Sequence, residues 1–502
     1  MIIIFVSCKG ERMRTKIFVA IILLICMTLS LTSCFIVINH KDGEPEQTDA
    51  PTPTETEQKE TKPPKETFAP QTDALEDDEK KAEELMSSYW DNEYEGKIVI
   101  TIAGDYLSLL GNEESGTFSR AMGLRNELVT NTFDCEIEVQ KKDYATFFEE
   151  AVSAKNAGLF YSDLVIMPYS RLGEVVADKL LCNLADYCDY DTVADTVDKN
   201  NMTQLSAGNN VLAVVGDALF FPSSYLCVYY NKTLANTLGI DGLYDAVDNG
   251  DWTIGRMTDS LNTLSSKLGE GYYCISSNIA DKDVYNALFT ASGMRYMNAG
   301  KGVTPSLVGY DERTDRLIEI LRTLDKGGAL YCKEAETDKR ALFEEGKSLF
   351  YIGTVAESLT LNNNFGMLPL PKLDSEQDDY YTYVTDDAPV MCVLNTATDP
   401  KKSVDVINGY NDASAMLFNG YMRDFLDFYA RDSKSAENLR RIVDNKTFDF
   451  ANAVSSEFDG LRYATSTAIY EAVTQNKNIK WHYNTFRGSV VSDMTKVFPV
   501  QK

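Results

Sequence analysis

Histidine is nearly missing from this chain: there are 2 in 502 residues, and only His482 falls beyond residue 96. Serine and cysteine hydrolases usually draw their general base from histidine, and ordinary zinc sites draw ligands from histidine and cysteine, so both chemistries lack their main ingredient. No Gly-x-Ser-x-Gly elbow is present. The 10 cysteines include no Cys-x-x-Cys pair. Past Cys34 they are Cys135, Cys182, Cys188, Cys227, Cys274, Cys332 and Cys392, most of them in apolar runs that suit small buried hydrophobes. Only Cys182 and Cys188 are close enough in sequence to suggest a disulfide. Basic residues are also short, 48 Lys and Arg against 76 Asp and Glu, for a net charge of −28. Such a surface repels phosphate backbones, and no Lys- or Arg-rich stripe offsets it, so no nucleic-acid partner is expected. Tryptophan is limited to Trp90, Trp252 and Trp481.

What is there begins with an address. Met13-Arg14-Thr15-Lys16 is basic, residues 17–29 are apolar, and Leu31-Thr32-Ser33-Cys34 follows. The apolar run is short for a membrane span of about 20 residues and fits a signal peptide. The tetrad resembles a bacterial lipobox, which implies cleavage before Cys34 and a diacylglycerol on its thiol. Residues 1–12 precede a second methionine, so translation can begin at Met1 or Met13. From 34 to 96 the chain reads as a tether: Pro45, Pro51, Pro53, Pro63, Pro64 and Pro70 alternate with Thr, Glu, Gln and Lys, with few residues that could form a core. A short helix is expected over residues 73–86, with no role assigned.

The remaining 97–502 is too long for a single core, so two lobes are expected. Its first part alternates cleanly. Strands are expected at Lys97–Ala103, 135–140 and 164–167, and helices at 117–130 and Tyr144–Ala157, the latter with Phe147, Phe148, Ala151 and Val152 on one side. This β-α-β-α-β order marks a mostly parallel sheet under helices. Ligands of such sheets sit beyond the carboxyl ends of the strands, which selects Asp105 and Tyr106 after the first strand and Tyr169, Ser170 and Arg171 after the third.

Segments farther along carry a resemblance. Phe220-Phe-Pro-Ser-Ser-Tyr-Leu-Cys-Val-Tyr-Tyr-Asn-Lys joins a breaker at Pro222 and polar joints at Ser223 and Ser224 to an aromatic strand. With Asp163-Leu-Val-Ile-Met-Pro-Tyr-Ser-Arg, Leu342-Phe-Glu-Glu-Gly-Lys-Ser-Leu-Phe-Tyr-Ile-Gly-Thr, Phe365-Gly-Met-Leu-Pro-Leu-Pro-Lys and Asp387-Ala-Pro-Val-Met-Cys-Val-Leu, in this order, it resembles the extracellular solute-binding proteins of ABC transporters, the sugar-binding type in particular. The resemblance implies an α/β, two-lobed periplasmic-binding-protein-like fold of type II, with mixed sheets flanked by helices and a ligand cleft between lobes. Lobe one is expected over about 97–222 and 393–430, and lobe two over about 226–388 and 431–502. Crossovers are implied at 222–225 and 387–390. Asp399-Pro400 reads independently as a helix start. Trp252, in Asp251-Trp-Thr, resembles a structural helix-start motif rather than a sugar platform.

Several motifs lead elsewhere. Ala341 to Ser348 meets a relaxed phosphate-loop pattern, but Phe343, Glu344 and Glu345 fill the cradle and the order is helix then strand, the reverse of what the motif requires. Glu344-Glu345, Asp378-Asp379 and Asp386-Asp387 raise glycoside hydrolysis, yet neighbouring side chains point apart. The same alternation separates Tyr229 from Tyr230 as iron donors. The implied protein therefore uses no cofactor or metal and catalyses no reaction. It is lipid-anchored on the extracytoplasmic face of the membrane, captures a polar solute, foremost a carbohydrate, and delivers it to a permease. The expected ligand contacts are Asp105, Tyr106, Tyr169, Ser170, Arg171, Ser223, Ser224, Thr354 and Asp386. Two alternatives stay open at this stage: an anchored carbohydrate-active enzyme, and a sensory or structural surface protein of the same fold.

Overall fold

The computed structural model describes residues 74–90, 94, 96–111, 116–428 and 432–498. The apolar run 17–29, the tetrad ending at Cys34 and the proline-rich part of the tether lie outside them. In chain order the strands are β1 (Lys97–Ala103), β2 (Glu136–Lys142), β3 (Leu164–Pro168), the hairpin β4 (Ser206–Gly208) and β5 (Asn210–Val211), β6 (Leu226–Asn231), β7 (Tyr273–Ser276), the hairpin β8 (Met297–Lys301) and β9 (Val303–Leu307), β10 (Ser348–Thr354), β11 (Phe365–Leu368), β12 (Thr382–Tyr383), β13 (Pro389–Val393) and β14 (Lys446–Thr447).

The first lobe is built on the sheet β13-β3-β1-β2, in which β1 runs parallel to β2 and β3 while β13 is antiparallel to β3. Residues 98–103 of β1 are buried without alternation, because helices cover both faces. At the edge, β2 carries Glu136, Glu138, Gln140 and Lys142 and stays half-exposed, which discourages pairing with another chain. Helices Thr117–Phe133 and Tyr144–Ala157 form as the apolar spacing predicts. The first runs three residues further and buries Phe133 against the helix Pro400–Ala413, whose Gly409 lies so close that a Cβ there would stand 2.4 Å from the Phe133 ring. Asp399 caps that helix as expected, accepting from Lys402 N at 3.1 Å.

The second lobe holds the sheet β11-β6-β10-β7. Its central strand β6 is buried throughout; Tyr229 donates to the Thr354 carbonyl (2.7 Å) while Tyr230 meets Tyr244 edge to face, so the pair does diverge. Trp252 is fully buried, donates Nε1–H to the Pro369 carbonyl (2.9 Å), and stands just before Thr253, the N-cap of the helix Ile254–Lys267.

Three features differ from the sequence-based expectation. The helix Ala74–Met86, placed in the tether, buries Ala82 and Met86 against the first lobe, with Asn419 Nδ2 donating to Asp78 (2.8 Å) and Tyr89 OH to Asp412 (2.9 Å). The folded body thus begins well before residue 97. A further sheet, β5-β4-β8-β9, joins the two lobes by the parallel pairing of β4 with β8. Finally, Cys182 and Cys188 are both free thiols, Cys182 Sγ facing the Leu394 carbonyl and Cys188 Sγ facing Asn408.

Candidate functional site

The two crossovers lie side by side. Tyr225 bridges Val384 in antiparallel sense, and Thr385 N donates to the Ser224 carbonyl at 3.0 Å. The second crossover then acts as a hub of backbone acceptors. The carbonyl of Asp386 receives Ser170 N (3.4 Å), that of Asp387 receives the Tyr106 hydroxyl (2.6 Å), and that of Ala388 receives Tyr169 N (2.9 Å). On the second-lobe side, Val355 N donates to the Tyr225 carbonyl (2.8 Å), which places Thr354 at the same junction. All the expected contact residues therefore belong to segments tied directly to these crossovers.

Their side chains divide into two groups. Asp105, Arg171, Ser223 and Asp386 are exposed, and Ser170 and Thr354 are half-buried. Tyr106 and Tyr169, expected as ligand contacts, are both buried. Tyr106 is buried edge to face against Phe221 (5.6 Å), and Tyr169 is sealed by Phe448 (5.0 Å). The cover over Tyr169 is the short helix Phe450–Val454, which seats on Gly173, where a Cβ would lie 2.9 Å from Val454 backbone. Sequence spacing gives no notice of this, because the cover comes from nearly 300 residues downstream. Ser224 is fully buried, and its hydroxyl has no partner among the described residues.

Charges around the junction are partly spoken for. Asp105 pairs with Lys141 (2.9 Å), and Arg171 pairs with Glu174 (2.7 Å) while covering the Tyr144 ring at 5.2 Å. Ser170 does not cap the following helix, Leu172–Ala177, whose N-cap is Arg171. Asp386 keeps exposed surface, yet the protein around it strips part of its water. That loss of water, with Asp283 and Asp387 adding repulsion against the opposing pull of Lys282, pushes its carboxyl up to about 6. Lys282 and Asp283 open the helix Asp281–Ala291, which follows β7. Sequence reasoning missed them, although the strand-end rule applied to β7 points to this stretch.

Among the described residues no group of three or more His, Cys, Asp or Glu is arranged to hold a metal ion. Of the remaining carboxylate pairs, Glu344 is half-buried against Arg340, Glu345 is exposed and binds Lys347, and Asp378 and Asp379 are exposed. No helix among the described residues is long and apolar enough to cross a membrane.

The fold has counterparts among solved structures. The galacto-N-biose/lacto-N-biose I-binding protein of an ABC transporter from Bifidobacterium longum, in complex with lacto-N-biose, aligns over 81% of this chain and 98% of its own, at TM-score 0.53 and 14% identity. The cyclic α-maltosyl-1,6-maltose binding protein from Arthrobacter globiformis aligns over 80% and 99%, at TM-score 0.54 and 13% identity. The fold is that of a two-lobed solute-binding protein. No protein-family model and no curated protein matches the sequence. The exposed Asp105, Arg171, Ser223 and Asp386 and the half-buried Ser170 and Thr354 lie on the segments tied to the paired crossovers.

Proposed function

We propose that this chain is an extracytoplasmic receptor, held to the membrane through a lipid on Cys34, that captures a small carbohydrate between its lobes and delivers it to the permease of an ABC importer. The observation that carries the reading is the assembly of polar, solvent-reachable side chains from both lobes around two paired crossovers, within a fold shared with two sugar-binding proteins. Hydroxyl-rich ligands are recognised by planar hydrogen-bonding groups of this kind. Binding works through closure, in which contacts to both lobes favour the closed state. No reaction is part of the proposal.

A thermal-shift screen of mono- and oligosaccharides, peptides and polyamines tests the ligand class. A saccharide at 100 times its Kd stabilises the folded chain by about 2.7 kcal/mol, so one saccharide family should raise the melting point while the others leave it unmoved. A rise with spermidine or peptides alone would discard the carbohydrate reading. The anchor is tested separately. A palmitate analogue should label the native chain in cells and miss the Cys34→Ala variant, and equal labelling of both would remove the lipid from the proposal.

A further inference from the structure

The turn that follows β1 touches both crossovers and is held from beneath by a buried cation. Leu107–Leu110 closes one 3-10 turn, with Leu109 N donating to the Tyr106 carbonyl at 2.9 Å and Gly111 N to the Ser108 carbonyl at 3.3 Å. At its near end Tyr106 donates to the Asp387 carbonyl (2.6 Å) and sets its ring on Phe221 (5.6 Å). Tyr106 and Leu109 are buried, whereas Asp105, Leu107 and Ser108 are exposed. An exposed leucine beside two polar side chains offers an apolar surface next to hydrogen-bonding groups, which suits the C–H and O–H groups of a sugar ring.

The far end is held by Arg125 and Asn126, neighbours on the helix Thr117–Phe133. Arg125 is only 1% exposed, and its Nη2 donates to the Leu109 carbonyl at 2.6 Å. Nε (3.1 Å) and Nη2 (2.8 Å) also donate to Asn126 Oδ1, while Asn126 Nδ2 donates to the Leu110 carbonyl at 2.8 Å. The two side chains form one clamp on two consecutive carbonyls of the turn.

No described carboxylate lies within ion-pair distance of Arg125; the Tyr410 ring lies 5.4 Å from its Cζ. Burial pulls the guanidinium pKa down. Burying a cation without a counter-ion is costly, and an apolar side chain of similar length would fill the space without that cost. Such a chain could not donate to the Leu109 carbonyl or hold the Asn126 amide.

We propose that Arg125 is a positioning residue for ligand capture: through Asn126 and the Leu109 carbonyl it fixes the turn, so that Asp105, Leu107 and Ser108 meet the ligand in one preset arrangement. Preorganisation of this kind raises affinity by removing the cost of ordering the turn on binding. The ligand half of the proposal rests on the carbohydrate reading, and the holding of the turn does not. Hydrogen exchange on the full chain, read by mass spectrometry, tests the turn, and calorimetry with glucose, galactose, maltose and lactose tests binding. In Arg125→Met the amides of residues 104–111 should exchange ten times faster or more while those of 98–102 keep their native rates, and Arg125→Lys should recover part of the protection. Asn126→Ala should speed the same amides several-fold, and it carries the test if Arg125→Met fails to fold. Any of the four sugars that the native chain binds should lose affinity in both variants, ten-fold or more in Arg125→Met. Phe133→Leu, a core change on the same helix, should lower the melting point without singling out the turn or altering affinity. Native exchange of 104–111 in Arg125→Met and Asn126→Ala would overturn the proposal, and so would faster exchange with unchanged affinity. Equal effects from Phe133→Leu would reduce Arg125 to a core residue and overturn it too. Should the native chain bind none of the four sugars, the fault lies with the ligand class, and the exchange rates alone decide for or against Arg125.

Discussion

Replacing Lys446 with methionine should cost the fold about 3 kcal/mol, one of the larger losses open to a single substitution in this chain. Lys446 Nζ lies 2.8 Å from Asp198 Oδ2, with side-chain exposures of 14% and 15%. The pair is embedded in a lattice: Asn201 donates Nδ2–H to Asp198 (2.8 Å) and to the Lys446 carbonyl (2.8 Å), and its Oδ1 accepts from Phe448 N (3.0 Å). Asp198 precedes the first crossover and Lys446 follows the chain's return through the second lobe, so the ion pair ties distant segments beneath the lobe junction. Removing the ammonium strands one carboxylate and withdraws the charge that restrains another, because Asp217 is pushed up to about 7 by burial even with Lys446 pulling it down.

The pH dependence follows from those directions. Lys446 is raised to about 12 by Asp198 despite its burial, so its contribution is complete below the ordinary lysine range and lost only as pH climbs through 12. Asp198 is depressed: burial raises it, but Lys446 and the hydrogen bonds from Asn201 together outweigh that, so its contribution holds above the ordinary carboxylate range and fades only in stronger acid. Asp217 runs the other way: it is costly when ionised, and that cost is relieved as pH falls below 7. Without Lys446 its carboxyl should rise further, so the variant should lose more at pH 8 than at pH 6. Guanidinium denaturation at both values measures this, and Lys446→Met combined with Asp198→Asn should regain part of the loss. A loss under 1 kcal/mol at both pH values would mean that the pair behaves like an exposed one.

The fold was legible wherever one segment's own pattern decides its structure. The β-α-β-α-β start, the strand after Pro222, the cap at Asp399 and the helix after Trp252 all carry local signals, either apolar spacing or a breaker beside a capping residue. The sheet β5-β4-β8-β9 carries none. Ser206-Ala207-Gly208 and Asn298-Ala299-Gly300 are small and polar, and their pairing depends on segments about 90 residues apart coming together. The site divides in the same way. The strand-end rule selected two loops that both hang on the second crossover, but whether a ring faces water or protein was fixed elsewhere, by the Asp387 carbonyl for Tyr106 and by Phe448 for Tyr169. The helix Ala74–Met86 was visible as a helix, yet its docking was hidden because, among its described side chains, Ala82 and Met86 alone are fully buried.

Under the carbohydrate reading, Asp386→Ala should weaken saccharide binding by about one to two orders of magnitude, the effect of losing hydrogen bonds to a charged group worth about 1.5–3 kcal/mol. Its carboxyl, near 6, also makes the native affinity depend on pH in a defined sense. Above 6 the carboxylate accepts from sugar hydroxyls with both oxygens; below 6 it holds a proton kept there by the partial loss of water around it and by the nearby Asp283 and Asp387, and acceptor capacity falls. Affinity should therefore drop as pH goes from 7.5 to 5, while the variant stays flat and weak. Stability should move the opposite way. A carboxyl whose folded pKa is raised opposes folding once ionised and is relieved as pH falls through 6, so Asp386→Ala should melt no lower than the native chain at pH 7.5 and show no gain at pH 4.5. Calorimetry with the saccharide found by the thermal screen, paired with melting curves at the same pH values, reads both trends. A site built for binding at some cost to the fold predicts these opposed slopes, whereas an Asp386 that merely supports the crossover predicts a lower melting point with unchanged affinity.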